Sequence, residues 1–178
     1  MKFMDKYILQ RDTLALLPYF NEYGELYTTV IEKYHQFLVR KSPKQILIDN
    51  CHYHCSTLRG RIDAAKKVLP GHRMLPVCVS EYFKICFFPS KSMDVVDCQW
   101  FSHRGIKHIY PHKRGSIVVL LNDKKILVNK QSRFLSHKLK NATYLVYTLG
   151  VWQESLEQQN QISEDTPFYQ DHEEMDEL

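Results

Sequence analysis

Five cysteines and nine histidines are the side chains of this sequence with the widest chemical repertoire. They are densest at residues 51–55, Cys-His-Tyr-His-Cys, where sulfur and imidazole nitrogen are both ligands that zinc accepts. The spacing differs from that of a standard zinc knuckle, whose ligands form two matching pairs. Cys78 and Cys86 lie in apolar runs, where a free thiol acts as a small buried hydrophobic group. An odd number of cysteines favours buried free thiols, with zinc as the alternative.

Motifs of nucleophilic, phosphate-binding or metalloprotease chemistry are absent from the sequence. It contains no G-x-S-x-G, G-x-x-x-x-G-K-[ST], G-x-G-x-x-G or H-E-x-x-H. The carboxylates are concentrated towards the C-terminus, away from most histidines and cysteines. The sequence therefore predicts neither an enzyme nor a bound cofactor.

Lysine and arginine are more informative because of their distribution. The formal net charge is +4, but residues 1–150 contain all 24 bases and 11 of the 20 acids. Residues 151–178 contain the other nine acids and no Lys or Arg. Such a basic body favours a polyanionic partner, and the acidic tail indicates a segment that does not touch it. The alternative is an ordinary solvated surface with a solubilising tail.

Ten bases are candidate contacts to nucleic acid because they surround a predicted short helix or occupy the loops after it. Exposed bases of this kind can orient towards phosphates, and arginine also suits a narrow A·T minor groove. No pair of short helices joined by a glycine-containing turn is visible, so a β-sheet or loop reader is predicted rather than a helix-turn-helix. The candidates are Arg59, Arg61, Lys66, Lys67, Arg73, Lys91, Arg104, Lys107, Lys113 and Arg114.

The N-terminal third of the sequence predicts β-strands. The β-branched residues of 28–31 favour a strand, and the Lys-Ser-Pro of 41–43 separates it from the apolar run at 45–48. If residues 51–55 are also extended, His52 and His54 lie on one face of a strand.

The middle of the chain predicts a short helix between hairpins. Ser56 or Thr57 is a suitable N-cap, and the Pro-Gly of 70–71 would end the helix. Lys66 then lies about one turn beyond Arg61 or Ile62, so that the basic residues can share an exposed side.

The apolar runs after the short helix predict two hairpins and a second helix. The turns fall at residues 80–81 and 122–123, each between two strand-like segments. From Ser132, leucines recur every three or four residues, which is typical of a helix, and Gly150 is a stop signal. We predict an α+β fold with a mostly antiparallel β core, a short central helix, a C-terminal helix and a disordered acidic tail. The domain is expected to span residues 1–150 and the tail 151–178.

The sequence has no run of 18 apolar residues, and its start lacks the apolar core of a signal peptide. We therefore expect no membrane association and a cytoplasmic location.

Three short motifs stand out: Gly60-Arg61, Phe87-Phe88-Pro89 and Cys98-Gln99-Trp100. Together they resemble the ComK family of bacterial competence transcription factors, and the similarity covers roughly residues 7–149. The resemblance implies an activator of DNA-uptake genes that binds paired AT-rich boxes of double-stranded DNA. It further implies approach through the minor groove, bending of the site, action as a dimer or tetramer, and association with the nucleoid.

Protein partners, in addition to DNA, are expected to bind the C-terminal segment. In some ComK-type relatives an adaptor delivers the protein to a Clp protease through this region, and Phe168-Tyr169 is the candidate contact here. A free acidic segment would also suit a contact with RNA polymerase. The alternative function, from another class, is a zinc-dependent or structural RNA-interacting module that uses Cys51, His52, His54 and Cys55.

Overall fold

A computed structural model describes residues 3–164, which build around one large sheet. Its seven strands lie in the order β1-β4-β3-β2-β7-β6-β5, and every neighbouring pair is antiparallel except β1 with β4. The strands are β1 (Phe3–Met4), β2 (Thr13–Phe20), β3 (Leu26–Glu32), β4 (Gln36–Val39), β5 (Val77–Ser80), β6 (Ile85–Pro89) and β7 (Trp100–Ser102).

A second, three-stranded antiparallel sheet and three helices complete the fold. The small sheet has the order β10-β9-β8. Its strands are β8 (Ile106–His112), β9 (Gly115–Leu120) and β10 (Lys125–Val128), and the helices are α1 (Pro43–Tyr53), α2 (Leu58–Val68) and α3 (Ser132–Glu164). None of the helices within residues 3–164 is both long and apolar enough to cross a membrane.

Two hydrophobic layers cover the faces of the large sheet. Phe87 points into the layer that holds Leu47 of α1, whereas its neighbour Phe88 points into the layer that holds Leu135 of α3 and Val118 of the small sheet. Successive strand residues face opposite sides, so both phenylalanines are fully buried without competing for space. The predicted α+β class with a mostly antiparallel β core, a central helix and a C-terminal helix is confirmed.

The prediction of strands throughout the N-terminal third is wrong at α1. Ser42 is the N-cap of this helix and its Oγ accepts a hydrogen bond from the Gln45 backbone N–H at 3.1 Å, while Pro43 occupies the first turn. Proline is favoured there because its missing N–H would have no partner in the helix. On the buried face, the Asn50 side chain accepts a hydrogen bond from Leu9 N–H at 2.8 Å. The Ser42-Pro43 pair is a helix-start signal, but the apolar run at 45–48 that follows it also suits a strand, and the prediction followed the apolar run.

Other predicted elements are present with small shifts. Thr57 is the N-cap of α2, its Oγ1 accepting from Gly60 N–H at 3.0 Å, as expected from sequence. The two predicted hairpins are β5–β6 and β9–β10.

The C-terminal helix is longer than predicted. α3 does not stop at Gly150 but continues without a break through Glu164. The proposed domain boundary therefore falls inside a helix, and the division into a domain and a tail stays a prediction. The second half of the acidic segment, residues 165–178 with Phe168-Tyr169, lies outside the described residues.

Candidate nucleic-acid interface

One long segment of the chain is almost free of acidic residues. Between residues 98 and 153 there are ten lysines and arginines and a single acid, Asp123. Asp123 is bound by Lys107, whose Nζ lies 2.7 Å from a carboxylate oxygen, and this hydrogen bond holds the pKa of Asp123 below its usual value. The segment forms β7, the small sheet and the part of α3 up to Gln153, so this part of the fold carries an excess of positive charge that Asp123 alone offsets from within it.

The tip of the β8–β9 hairpin is the most exposed part of this segment. Lys113 and Arg114 form the turn, and both are exposed. Gly115 closes it with φ of +125°, where a Cβ would overlap the carbonyl oxygen of Val128. The tight contact holds the tip against the end of β10 and the backbone of Lys130, so the two chain segments that carry Arg114 and Lys130 are adjacent.

The start of α3 extends this positive area towards α2. Lys130 and Lys138 place their Nζ atoms 5.8 and 5.4 Å from the ring centroid of Phe134. Lys138 is buried, which lowers its pKa, and its Nζ donates a hydrogen bond to the backbone carbonyl of Arg73 in the loop after α2. The loop of Arg73 is thereby fixed to α3, next to the exposed Arg133 side of the helix.

A stacked histidine pair reinforces that junction. The rings of His72 and His137 lie 5.5 Å apart and nearly parallel, at 15°. We call the exposed bases on both sides of the junction the basic surface; it consists of Arg73, Lys113, Arg114, Lys130 and Arg133.

Three of the ten predicted contacts lie on the basic surface: Arg73, Lys113 and Arg114. Lys130 and Arg133 were not among the candidates, because an isolated base in a helix or loop gives no signal of its own. The sequence signal that could have identified them is the stretch 98–153 with its single acid, which is visible only when the charge is counted over more than fifty residues.

The bases of α2 have acidic partners. Asp63 lies between Lys66 and Arg59, at 3.0 and 3.2 Å, and hydrogen bonds from both lower the pKa of its carboxyl. All three side chains are well exposed, so water screens these ion pairs and the bases can exchange partners at little cost. Lys67 is exposed and has no ion pair within the described residues.

Arg61 differs from the other candidates because it is turned inwards. Its side chain is 12% exposed and forms an ion pair with Glu81, in the turn between β5 and β6. The expectation that Arg61 and Lys66 share an exposed side is wrong, since the pairing with Glu81 draws the guanidinium under the turn. Its Nε is buried without a hydrogen-bond partner in the described residues.

The remaining three predicted contacts lie apart from both the basic surface and α2. Lys91 binds Asp97 at 2.7 Å in the loop before β7, and Lys107 is at the end of β8 opposite the hairpin tip. Arg104 is exposed and lines a hollow beside α3 together with Lys84 and Tyr147. Contact of Lys91, Arg104 and Lys107 with nucleic acid stays a prediction.

The cysteines and histidines of 51–55 do not converge on one point. Cys51 is fully buried on α1, and burial raises the pKa of its thiol to about 11. His52 is exposed, and Cys55 is exposed beyond the helix end with φ of +54°. The predicted strand is a helix, so His52 and His54 do not share a face. Among the described residues, no group of three or more His, Cys, Asp or Glu is arranged to hold a metal ion.

The large aromatic residues of β6 and β7 are core residues. Phe87, Phe88, Trp100 and Phe101 are all fully buried. They cannot stack on the bases of a single strand without unfolding the sheet.

An α+β domain with an acid-poor segment whose bases are exposed is typical of the class of nucleic-acid-binding proteins. The sequence model of the family described as "ComK protein" matches residues 4–153, and the chain belongs to this family. It is 29% identical over 104 residues to the Bacillus subtilis (strain 168) protein named "Competence transcription factor". That alignment covers 58% of this chain and 54% of the relative, so the chain spans about half the length of the curated relative it matches. No solved structure matches the chain.

Proposed function

We propose that this protein is a transcriptional activator of competence genes that binds double-stranded DNA and has no enzymatic activity. The observation that carries the proposal is the basic surface, four of whose five bases lie on a segment with one acid in fifty-six residues. Membership of the ComK family and the name of the relative support the same role. The protein would act in the cytoplasm, at the nucleoid.

The proposed contact is the minor groove of paired AT-rich boxes. Lys113 and Arg114 project from a two-stranded hairpin, a shape that fits a groove, and arginine is the side chain that a narrow A·T groove attracts most. The exposed Arg73, Lys130 and Arg133 would bind flanking phosphates, and Lys66, Lys67 and Arg59 would extend that contact along α2. In this proposal Arg61 does not contact DNA and stabilises the fold through its ion pair with Glu81.

The protein is proposed to bind as a dimer or tetramer, since paired boxes match a symmetric assembly. The acidic C-terminal segment would stay off the DNA and contact RNA polymerase or a Clp protease adaptor.

Competition in a gel-shift assay tests the function. Labelled AT-box duplex should be displaced by the same unlabelled duplex far better than by random duplex or by RNA. Netropsin, a minor-groove ligand, should release the protein, while methylation in the major groove should have little effect. Equal competition by RNA would contradict the proposal and favour an RNA-binding module. If major-groove methylation releases the protein and netropsin does not, the assignment of the contact to the minor groove is wrong.

A further inference from the structure

Two stacked histidines lie at the junction between the loop after α2 and the start of α3. The rings of His72 and His137 are 5.5 Å apart at an angle of 15°, and both side chains are exposed. They lie within the basic surface, because Arg73 follows His72 in the loop and Arg133 is one turn before His137 on α3. Imidazole is the side chain whose charge ordinarily changes near neutral pH, so this pair can respond to a ligand by taking up a proton.

A hydrogen bond to the backbone decides which nitrogen of His72 can receive that proton. The Nδ1 atom of His72 lies 3.1 Å from the carbonyl oxygen of Pro70. A carbonyl oxygen accepts and never donates, so Nδ1 must carry a hydrogen. In the neutral ring Nε2 is then unprotonated, and it has no hydrogen-bond partner among the described residues. A second proton would therefore go to Nε2, which could then donate a hydrogen bond to an anion.

The second ring of the stack is held in a different way. Nε2 of His137 lies 3.4 Å from the amide nitrogen of Asn141, one turn further along α3. An amide nitrogen donates, so Nε2 of His137 accepts this hydrogen bond. A proton on that atom would place two donors against each other. His137 is therefore suited to support the stacked ring, and His72 is suited to take up the proton.

The charges around the stack are positive, apart from one acid that is already bound. That acid, Asp63 of α2, pairs with Lys66 and Arg59. Neither imidazole of the stack forms an ion pair with a carboxylate within residues 3–164. Each neighbouring base opposes a charge on His72, and a polyanion that neutralises these bases removes the opposition. The bases are Arg73 of the loop, Lys66 and Lys67 in the last turn of α2, Lys130 after β10, and Arg133, Lys138 and Lys140 of α3.

We propose that His72 is a phosphate-binding residue that takes up a proton from solvent when the basic surface binds a phosphate polyanion, so that DNA binding strengthens as the pH falls. The proton goes to Nε2, which then donates a charge-assisted hydrogen bond to a phosphate oxygen. Because the complex holds one proton more than the free protein, affinity increases by at most about tenfold per pH unit. The inference rests on the proposed function in so far as DNA is the polyanion, but any phosphate polymer on this surface should have the same effect.

Titration calorimetry of the full chain with AT-box duplex tests the proton uptake. Measurement near pH 7 in buffers of different ionisation enthalpy counts the protons that enter the complex. The wild-type protein should take up about one proton per bound chain, and His72→Gln should lose most of that uptake. The dissociation constant of His72→Gln should also vary less than that of the wild type between about pH 8 and about pH 6. His72 is exposed, so thermal unfolding should show that the variant folds normally.

Two further variants test the assignment to His72. His112→Gln is the matched control, because His112 is an exposed histidine beside the hairpin tip whose Nδ1 already accepts a hydrogen bond from Arg114 N–H at 3.2 Å. That nitrogen is not free to take a proton, so the uptake should not change. His137→Phe keeps a stacked ring without nitrogen atoms, and the uptake should persist. Uptake that survives His72→Gln, or that is lost with His112→Gln or His137→Phe instead, would overturn the proposal.

Inorganic polyphosphate as a second probe separates this inference from the proposed function. If AT-box duplex binds without proton uptake, the role of His72 is wrong and the proposed function stands. If the duplex does not bind but polyphosphate binds with uptake of a proton that depends on His72, the proposed function is wrong and the phosphate site stands. Absence of uptake with both polyanions would overturn the inference.

Discussion

Arg61 of α2 and Glu81 of the β5–β6 turn form an ion pair in which the arginine is nine-tenths shielded from solvent and the glutamate is 40% exposed. The pair ties a helix to a turn of the large sheet. It also explains how one basic residue of the central helix can serve the fold while its neighbours remain available to a partner.

Arg61→Ala should therefore lower stability rather than DNA affinity. It leaves Glu81 without its partner and opens space under the turn. Since Glu81 is partly solvated, we expect a loss of about 1–2 kcal/mol, less than for a fully buried pair. Urea denaturation measures the loss, and Arg61→Lys should restore part of it. If the Arg61→Ala variant is as stable as the wild type but binds DNA more weakly, Arg61 contacts DNA and this prediction is wrong.

Arg114→Ala should weaken binding to random duplex through the lost charge, and binding to AT-box duplex more strongly, without affecting folding. Each phosphate contact removed should flatten the dependence of log affinity on log salt concentration by about one unit. Lys66→Ala should also lower DNA affinity, but by less, because Asp63 already partly neutralises the charge of Lys66. Lys6→Ala is the control, an exposed base in the loop after β1. An unchanged salt slope for Arg114→Ala would remove the hairpin tip from the interface.

His103 should make the fold sensitive to acid. Burial lowers the pKa of its imidazole below the ordinary value of 6.5, so the neutral ring is favoured in the folded state. As the pH falls below 6.5 the unfolded chain takes up the proton first, and the free energy of unfolding decreases. His103→Gln should flatten this part of the pH profile, whereas His108→Gln, at an exposed position, should not. Thermal unfolding between about pH 7 and about pH 5, a range that includes the ordinary imidazole pKa, is the measurement.

Thiol labelling distinguishes the free cysteines from a zinc site. In the native protein Cys55 should react quickly, because it is the exposed cysteine, while the four buried cysteines should react only after unfolding. Added zinc should leave the labelling of Cys55 unchanged. Protection of Cys55 from labelling by zinc at an equimolar ratio would revive the metal-binding alternative.

The sequence was sufficient where a local physical rule decides the structure. Thr57 begins α2 because its side chain can cap the helix, and the β9–β10 hairpin follows from two apolar runs around a polar turn. The same local reading missed α1, where the Ser42-Pro43 start signal competed with an apolar run that also suits a strand. Contacts of Asn50 with the chain before β2, forty residues away, stabilise the helix there.

The sequence by itself determined that this chain is basic in its body, acidic at its end, and built as an α+β domain with the motifs of its family. Charge and periodicity are properties of the chain, so they need no folded structure to be read. Only the tertiary structure decided which bases are presented together. It turned Arg61 inwards against Glu81, placed Lys113 and Arg114 beside Lys130, and carried α3 past the core, because each of these depends on packing between segments distant in sequence.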